Sequence, residues 1–258
     1  MPRPPARVLP AFVLCIAALP AATACTAGLT GQADVPPSAA GNTRPAAPTS
    51  PITVPALTDA QAQAALITEA DLGAPWAPAQ GAATWHDELL KAQTDLPDCQ
   101  RLLDAVYADE LLGTPTGAHA VAGFDDGDDE AQLRYQVLAH RPAEVDRTLA
   151  WLRTLPQTCA RFTAATTRAG VQNVQVFELA LPDVGDARQG LRVTLTGESA
   201  DGEAATLALD VAVVRVGDDA ITLTNGGLGA VSADSTRQAV QLGARRLTEV
   251  HHQARGQA

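Results

Sequence analysis

Aromatic and lysine side chains are scarce in this chain of 258 residues. Trp, Tyr and Phe together make up 3% of the sequence, and Lys91 is its only lysine. Sugar-binding surfaces and the cages that hold quaternary ammonium groups are built from aromatic rings. The small number of rings therefore argues against both kinds of site.

Positive charge is also in short supply. The chain has 18 Lys and Arg against 29 Asp and Glu, and its net charge at pH 7 is −11. Proteins bind nucleic acids largely through Lys and Arg side chains that neutralise phosphates, and anionic membranes attract basic segments. The acidic balance therefore predicts that nucleic acid is not a partner, and it argues against electrostatic adhesion to anionic lipid.

The N-terminus carries only a short apolar run, at residues 11–19. This run is far below the roughly 20 residues that a membrane-spanning helix needs. It follows Arg3 and Arg7, with no acid in the first ten residues, and four small residues come after it at 21–24. A positive start, a short apolar run and a small-residue cleavage site are typical of a secretory signal peptide. We therefore predict a signal peptide over residues 1–24.

Cys25 stands directly after this segment. The tetrapeptide Ala22–Cys25 (ATAC) resembles the bacterial lipobox, although Ala22 stands where that motif usually has Leu. The resemblance implies that Cys25 becomes the first mature residue and is acylated, which would hold the chain on a membrane surface. The mature chain would have a net charge of about −13, because both signal arginines are lost. A soluble secreted protein cut near Ala24 is the alternative.

Cysteine is rare, with four in the chain. Cys15 lies in the apolar run and would leave with the signal peptide, and Cys25 would carry the lipid. Cys99 and Cys159 remain, and an even number in an exported chain favours one disulfide over two buried free thiols. A zinc site is disfavoured, because no cysteine or histidine lies at ligand spacing from either residue.

Composition divides the mature chain into a tether and one domain. Behind Cys25, residues 25–56 are rich in Pro, Ala, Thr, Gly and Ser and have no apolar periodicity, which predicts an extended, disordered tether. Residues 57–258 are about 200 residues long, which is within the size range of a single domain.

Helix signals recur along this domain. Four segments begin with a helix-start residue, and in the second of them apolar residues recur at the spacing i, i+3, i+4, i+7. This spacing places Cys99 on the inner face of the second helix, and Pro156 is predicted to end the third helix just before Cys159. The predicted starts are Thr58 (a capping box with Gln61, for a helix through about Thr68), Asp98 (an N-cap), Pro142, and Ser232 or Ser235.

Strand signals with a period of two dominate the rest of the domain. Short polar turns join them, and short hairpin connections force antiparallel neighbours. The sequence therefore predicts an α+β fold, with a twisted antiparallel sheet of about six to eight strands and about four helices on one face or at its ends. The predicted strands are residues 81–89, 118–124, 131–139, 160–166, 172–181, 189–199, 203–216 and 219–225.

Motifs that would carry chemistry are weak. The acidic run Asp125–Glu130 has its glycine in the third position, which does not fit an EF-hand, so we interpret it as a solvated hairpin turn. The loop Gly226–Ser232 has Ser where a dinucleotide-binding motif needs its third glycine. The five histidines have no motif around them. We therefore predict no catalytic residue, no metal site and no cofactor, and the ligand-binding residues stay unknown.

Three segments resemble a known family: AQAALITEADLGAPW (62–76), TLAWLRTLPQTCARFT (148–163) and DVAVVRVGDDAITLTNGGLG (210–229). With the Cys99 helix and the last helix they are similar to the PknH-like extracellular sensor domain of actinobacterial lipoproteins and membrane serine/threonine kinases. The resemblance covers about residues 57–250. It implies an antiparallel sheet with helices around a ligand cleft, and binding or sensing rather than turnover. Compact α+β lipoproteins of the Mog1/PsbP type are a second structural alternative.

The sequence therefore predicts a lipid-anchored binding module on the outer face of the cytoplasmic membrane. Its partner would be an unidentified small molecule or an envelope protein, and it would not be an enzyme. Two alternatives stay open. One is a secreted hydrolase whose acids converge only in three dimensions, and the other is an envelope scaffold that contacts its partner through an exposed apolar patch.

Acylation of Cys25 can be tested by intact-mass analysis of native material. The wild-type protein should have the mass of residues 25–258 plus acyl chains, and Cys25→Ser should abolish the added mass because the acylated thiol is gone. Cys15→Ser, inside the predicted signal peptide, is the control and should leave the mature mass unchanged. An unprocessed wild-type chain without acyl groups would contradict the prediction.

Overall fold

A computed structural model describes residues 57–127 and 130–256 of the chain. The predicted signal peptide, Cys25 and the tether lie outside these residues. The described residues form one nine-stranded antiparallel sheet in the order β1-β3-β4-β9-β8-β7-β6-β5-β2. The strands are β1 Trp76–Pro78, β2 Ala92–Gln93, β3 His119–Asp126, β4 Ala131–Ala139, β5 Arg161–Thr166, β6 Val171–Glu178, β7 Ala187–Glu198, β8 Ala204–Val216 and β9 Asp219–Leu228.

Helices cover both faces of this sheet. The third and fourth helices and a π-helical turn pack on one face, and the other three helices pack on the opposite face. None of the described helices combines the length and the hydropathy that a bilayer-spanning segment requires. The described helices are α1 Asp59–Ala64, α2 Glu69–Leu72, α3 Pro97–Tyr107, α4 Pro142–Thr158 and α5 Ala233–Gly256, and the π-helical turn is His86–Leu90.

The α+β class and the antiparallel sheet are as predicted, but the sheet exceeds the expected six to eight strands. The additions are β1 and β2, with three and two residues, which are too short to show a period of two. The predicted strand at 81–89 is wrong, because this segment contains the π-helical turn. Leu89 and Leu90 of that turn are buried in the same apolar cluster as α3 and α4.

The sheet is buried on both sides at its centre, whereas the prediction placed the helices on one face or at the ends. In β8, Leu209 and Val211 lie in the apolar cluster with α4. Ala208 and Ala212 point to the opposite face, and they are buried as well. Alanine has little apolar surface, so the alternation of Leu and Val with Ala along β8 predicts that the alanine face is solvated. In the structure, α5 packs on that face.

Several helix boundaries also differ from the prediction. The capping box at Thr58 is formed, but the first predicted helix ends at Ala64 rather than at about Thr68. A separate helix that was not predicted, α2, follows at Glu69–Leu72. α3 begins one residue before Asp98, which lies in the first turn rather than at the cap. α4 begins at Pro142 as predicted but continues through Pro156 to Thr158. The start of α5 agrees with the prediction, because Ser232 Oγ accepts a hydrogen bond from a backbone N–H of the first turn, at 3.2 Å.

The predicted disulfide between Cys99 and Cys159 is present. It joins α3 to the residue that follows α4, and both cysteines are buried in one apolar cluster. The bridged cysteines are 60 residues apart in the sequence. A closed loop of this length corresponds to a stabilisation of roughly 4 kcal/mol in the chain-entropy model.

The N-terminal turn of α5 is fixed to the sheet by a buried carboxylate. Asp210 of β8 is fully buried, and Arg192 of the neighbouring β7 donates to both of its oxygens, at 2.6 and 2.9 Å. Thr236 of α5 donates its hydroxyl to the same carboxylate at 2.8 Å. Asn225 of β9 donates to the Thr236 hydroxyl at 3.1 Å. The hydrogen bonds to Asp210 raise the pKa of Arg192 above its ordinary value.

Farther along, α5 is held by a close contact and an ion pair. Gly243 lies directly over the buried ring of Tyr135, and a Cβ at this position would be 2.6 Å from Tyr135 Cε2. Arg246 donates from Nη2 to both carboxylate oxygens of Asp71 in α2, at 2.7 and 2.6 Å. Burial alone would raise the pKa of Asp71. Hydrogen bonds from Thr68 and Arg246 together lower it by more, so the pKa of Asp71 is below its ordinary value.

The buried pair predicts an asymmetry between two substitutions. Arg192→Met should lower the free energy of unfolding by about 3–5 kcal/mol, because it leaves Asp210 buried without a counter-charge. Asp210→Asn should cost less, about 1–3 kcal/mol, since the Arg192 side chain is 31% exposed and can reach water. Urea unfolding measures both losses.

Arg188→Met is the matched control for Arg192→Met. Both arginines belong to β7 and have side chains that are 31% exposed, but the partner of Arg188 is Asp183, whose side chain is 92% exposed. The control should therefore cost at most about 1 kcal/mol. If both arginine variants lose the same free energy of unfolding, the burial of Asp210 does not account for the cost of removing Arg192.

Candidate functional site

Two concave surfaces stand out among the described residues. The larger, the β5 groove of about 1010 Å³, is an open channel between Gln93–Leu96 and Arg161–Ala165. The smaller, the α5 pocket of about 530 Å³, is more enclosed, and its volume is within the roughly 300–1,000 Å³ that is usual for ligand sites. It is lined by Leu57, Thr116, Gly117, Ala139–Pro142, Gly217–Asp219, His251, Ala254 and Arg255.

The α5 pocket is the stronger candidate for a small-molecule site, although it is the smaller of the two. Ligand sites combine apolar walls with a few convergent polar groups. The α5 pocket has apolar walls from Leu57, Pro142 and Ala254, and it also contains histidine, acidic and arginine side chains. It is built where the end of β4, the turn between β8 and β9 and the last turns of α5 meet.

A histidine–carboxylate pair forms one wall. His251 of α5 donates from Nε2 to Oδ2 of Asp219 at 2.7 Å, and the Asp219 side chain is 8% exposed. With its proton on Nε2, a neutral His251 ring keeps Nδ1 as a hydrogen-bond acceptor. The carboxylate therefore sets the orientation of the ring and fixes which nitrogen carries the proton, as orienting carboxylates do in general-base sites.

The turn between β8 and β9, which precedes Asp219, is held by contacts of Gly217 and Arg215. The N–H of Gly217 donates to Asp186 at 2.6 Å, and Arg215 donates to the Gly217 carbonyl at 3.2 Å. Arg215 also pairs with Asp146 of α4 at 2.9 Å. Gly217 has φ +62°, a conformation that favours glycine. Arg215 and Gly217 lie in the segment 210–229 that carries part of the family resemblance, and here they fix the turn that precedes Asp219.

His140 also lines the pocket, and an oxygen atom lies near each of its ring nitrogens. Its Nε2 is 2.9 Å from the carbonyl oxygen of Leu112, and its Nδ1 is 3.2 Å from Oε2 of Glu144. The second contact is within ion-pair distance but lacks hydrogen-bond geometry, so Nδ1 is a buried nitrogen without a hydrogen bond.

Two arginines supply positive charge at the pocket rim. Arg141 contacts Glu144, and its side chain is 71% exposed. Arg255 contacts His252 at 3.3 Å, and within the described residues it has no carboxylate partner. Since Asp219 is bound by His251, the guanidinium group of Arg255 is the charged group of this pocket that is available to an anion.

The pocket offers anion binding more readily than acid–base chemistry. His251 and Asp219 have the arrangement of a general base with its orienting carboxylate. Thr116 also lines the pocket, but its hydroxyl donates to the Ala139 carbonyl at 3.2 Å. A nucleophile–base pair needs the two side chains within hydrogen-bond reach of each other. Here Thr116 bonds to the Ala139 carbonyl and His251 bonds to Asp219.

No motif in the sequence assigns a role to His140, His251 or Asp219. His140 and Glu144 are four residues apart at a helix start that Pro142 marks, so this contact has a weak signal in the sequence. His251 and Asp219 are separated by 32 residues and are joined only by the packing of α5, so no spacing rule connects them.

The other residues considered from the sequence lie elsewhere. Cys25 is outside the described residues, and so are two acids of the acidic turn, at 128 and 129. Asp125 of that turn accepts hydrogen bonds from the Gln80 backbone and from Gln132, at 3.1 and 2.7 Å. Among the described residues, no three metal-binding side chains cluster. Gly226 and Gly227 belong to β9 itself.

Comparisons with known proteins give little guidance. No protein-family model and no curated protein matches the chain. Among solved structures, it is similar to the extracellular domain of PknH from Mycobacterium tuberculosis, with 18% identity and a TM-score of 0.46 over 77% of this chain and 98% of that one. It is also similar to an uncharacterized protein from Rhizobium leguminosarum, with 11% identity and a TM-score of 0.25 over 52% of this chain and 98% of that one.

The first of these proteins is an extracellular domain of the family that the sequence resembles. Both TM-scores are below 0.5.

The contact between His251 and Asp219 should control the opening of the last turn of α5. Asp219→Asn replaces a charge-assisted hydrogen bond by a neutral one, so amides 251–256 should exchange about fivefold faster, which corresponds to about 1 kcal/mol. Hydrogen exchange followed by mass spectrometry measures this. Asp218→Asn, at the exposed neighbouring position, is the control and should leave the exchange unchanged. Equal exchange in both variants would contradict a role for the pair.

Proposed function

We propose that this chain is an extracytoplasmic binding module, anchored to the outer face of the membrane through lipid on Cys25. Its domain binds a small organic anion in the α5 pocket. The signal-type N-terminus and the ATAC motif support export and lipidation. The disulfide between Cys99 and Cys159 supports an oxidising compartment.

The observation that supports an anionic ligand is that the guanidinium group of Arg255 is free to bind one. Its guanidinium group has no carboxylate partner within the described residues, and it lies on the same pocket as the oriented ring of His251. A ligand carboxylate can accept two parallel hydrogen bonds from a guanidinium group. The apolar walls of the pocket then suit a hydrocarbon body on the same molecule.

Binding at this place would also change the protein. The pocket is made by the last turns of α5 together with the turn between β8 and β9, and a ligand that contacts both stabilises their contact by mass action. The end of α5 would therefore be less open in the bound state than in the free state. This is a local change that a partner protein can recognise, as sensing requires.

A secreted hydrolase is a second candidate, and the pair of His251 and Asp219 is the observation that favours it. A base held by a carboxylate is one part of a hydrolytic site, but the Thr116 hydroxyl is already bonded to the Ala139 carbonyl. Reproducible ester or amide turnover that His251→Gln abolishes would establish the hydrolase and displace the binding module.

The anion site can be tested with 4-phenylbutyrate, which has a carboxylate and an apolar body, by isothermal titration calorimetry. Arg255→Gln should weaken binding at least about tenfold, because it removes a charge-assisted hydrogen bond. The uncharged analogue 4-phenylbutyramide should bind more weakly to the wild-type protein for the same reason.

Arg153→Gln is the control for this experiment, because Arg153 is an exposed arginine of α4 that does not line the pocket. It should leave the affinity for 4-phenylbutyrate unchanged. If the acid and the amide bind equally well, or if Arg255→Gln has no effect, the pocket does not select anions.

A further inference from the structure

The outer edge of β5 is only partly covered. β6 pairs with residues 161–165 on the inner side, whereas β2 pairs on the outer side with Ala165 and Thr166 alone. Residues 161–164 therefore have no partner strand on the outer side within the described part of the chain. Beyond Gln93 the chain turns away from β5, and the Thr94 N–H donates to Gln100 Oε1 of α3 at 2.7 Å.

The hydrogen bonds to β6 show which backbone groups this edge exposes. Thr166 donates its N–H to the Gly170 carbonyl, and Val176 donates its N–H to the Ala160 carbonyl. In an antiparallel pair, alternate residues direct their N–H and C=O groups to the same neighbour. The even-numbered residues of β5 therefore face β6, and Arg161 and Thr163 direct their N–H and C=O groups outward into the β5 groove.

The β5 groove also carries exposed apolar side chains. Four large apolar side chains are exposed among the described residues, and two of them, Leu96 (45%) and Val171 (64%), line this groove. The other two are Phe177 and Leu228, which lie outside it. An open strand edge beside exposed apolar side chains is a template for pairing with another strand.

Charge is distributed unequally between the two sides of the groove. Asp95 and Asp104 lie on the side of α3, and neither forms an ion pair within the described residues. On β5, Phe162 packs in the apolar cluster with α3, so Arg161 and Thr163 point to the opposite, open face of the sheet. Val171 of β6 is exposed on that open face.

We propose that the β5 groove binds an extended peptide segment of a partner protein by strand addition. The peptide pairs with the outward N–H and C=O groups of Arg161 and Thr163. Its alternate side chains are basic on the side of α3, where they meet Asp95 and Asp104, and apolar on the open face beside Val171. Backbone pairing supplies the affinity and these alternating side chains supply the selectivity, as in other cases of strand addition.

The test uses the synthetic peptide acetyl-VKVKVKV-amide and its counterpart acetyl-VEVEVEV-amide with the full domain. Binding is measured by titration calorimetry. Hydrogen exchange then reports the amides of Arg161 and Thr163, which should become protected when the lysine peptide binds. The lysine peptide should bind more tightly than the glutamate peptide, and the double variant Asp95→Asn, Asp104→Asn should reduce this preference about fivefold.

Thr163→Pro is the variant that tests backbone pairing. Its N–H points away from β6, so proline removes the outward donor without breaking a ladder bond inside the sheet, as is usual for proline on edge strands. Binding of the lysine peptide should fall at least about tenfold. Thr163→Ser keeps the N–H and should bind as the wild-type protein does. Thermal melts of both variants confirm that they are folded.

Three results would overturn the proposal. The first is the absence of binding by both peptides at 1 mM, and the second is unchanged binding of the lysine peptide to Thr163→Pro. The third is a wild-type dimer in light scattering that Thr163→Pro converts to a monomer, because a second copy of the chain would then occupy the edge. None of these measurements involves the α5 pocket, so a result that overturns strand addition at the β5 groove leaves the proposed anion site unaffected.

Discussion

The arrangement of this domain depends on one buried carboxylate. Asp210 accepts hydrogen bonds from Arg192 of β7 and from Thr236 of α5, so it connects two strands to the first turn of the longest described helix. An ionised carboxylate is costly to bury unless hydrogen bonds satisfy it, and Thr236 of α5 supplies one of these bonds. The contacts farther along α5 then follow, and at its far end His251 reaches Asp219.

Stability alone does not explain such a pair. Replacing a buried ion pair by well-packed apolar residues is often neutral or stabilising, and the opposite face of β8 is apolar at Leu207, Leu209, Val211 and Val213. The pair instead defines the position of α5 along the sheet. Since apolar packing is non-directional, a directional contact at one end of the helix determines where the residues at the other end lie. The α5 pocket is made by those residues.

The sequence could predict the parts of this structure that depend on local patterns. Alternation along β7 predicted its strand, and the apolar spacing around Cys99 placed this residue on a buried face, where it meets Cys159. The π-helical turn at His86–Leu90 carries no such period and was predicted as a strand. The packing of α5 on the sheet was missed because Ala208 and Ala212 resemble a solvated face in the pattern of hydropathy.

The candidate sites were harder to predict for the same reason. A pocket built from a β4–α4 junction, a β8–β9 turn and the end of α5 joins residues that no motif connects, and an open edge at β5 follows from where β2 stops pairing. Both are consequences of tertiary packing, so neither leaves a pattern in the local sequence. The segment 210–229 is the exception, because its Arg215 and Gly217 fix the turn before Asp219.

The central claim, that the end of α5 forms an anion site, is tested most directly by NMR titration of the domain with 4-phenylbutyrate. We expect saturable shifts of the His251 ring and the Arg255 side chain with a single dissociation constant, while the amides of β5 stay unchanged. Shifts absent from α5, or identical shifts with the uncharged amide, would contradict the account.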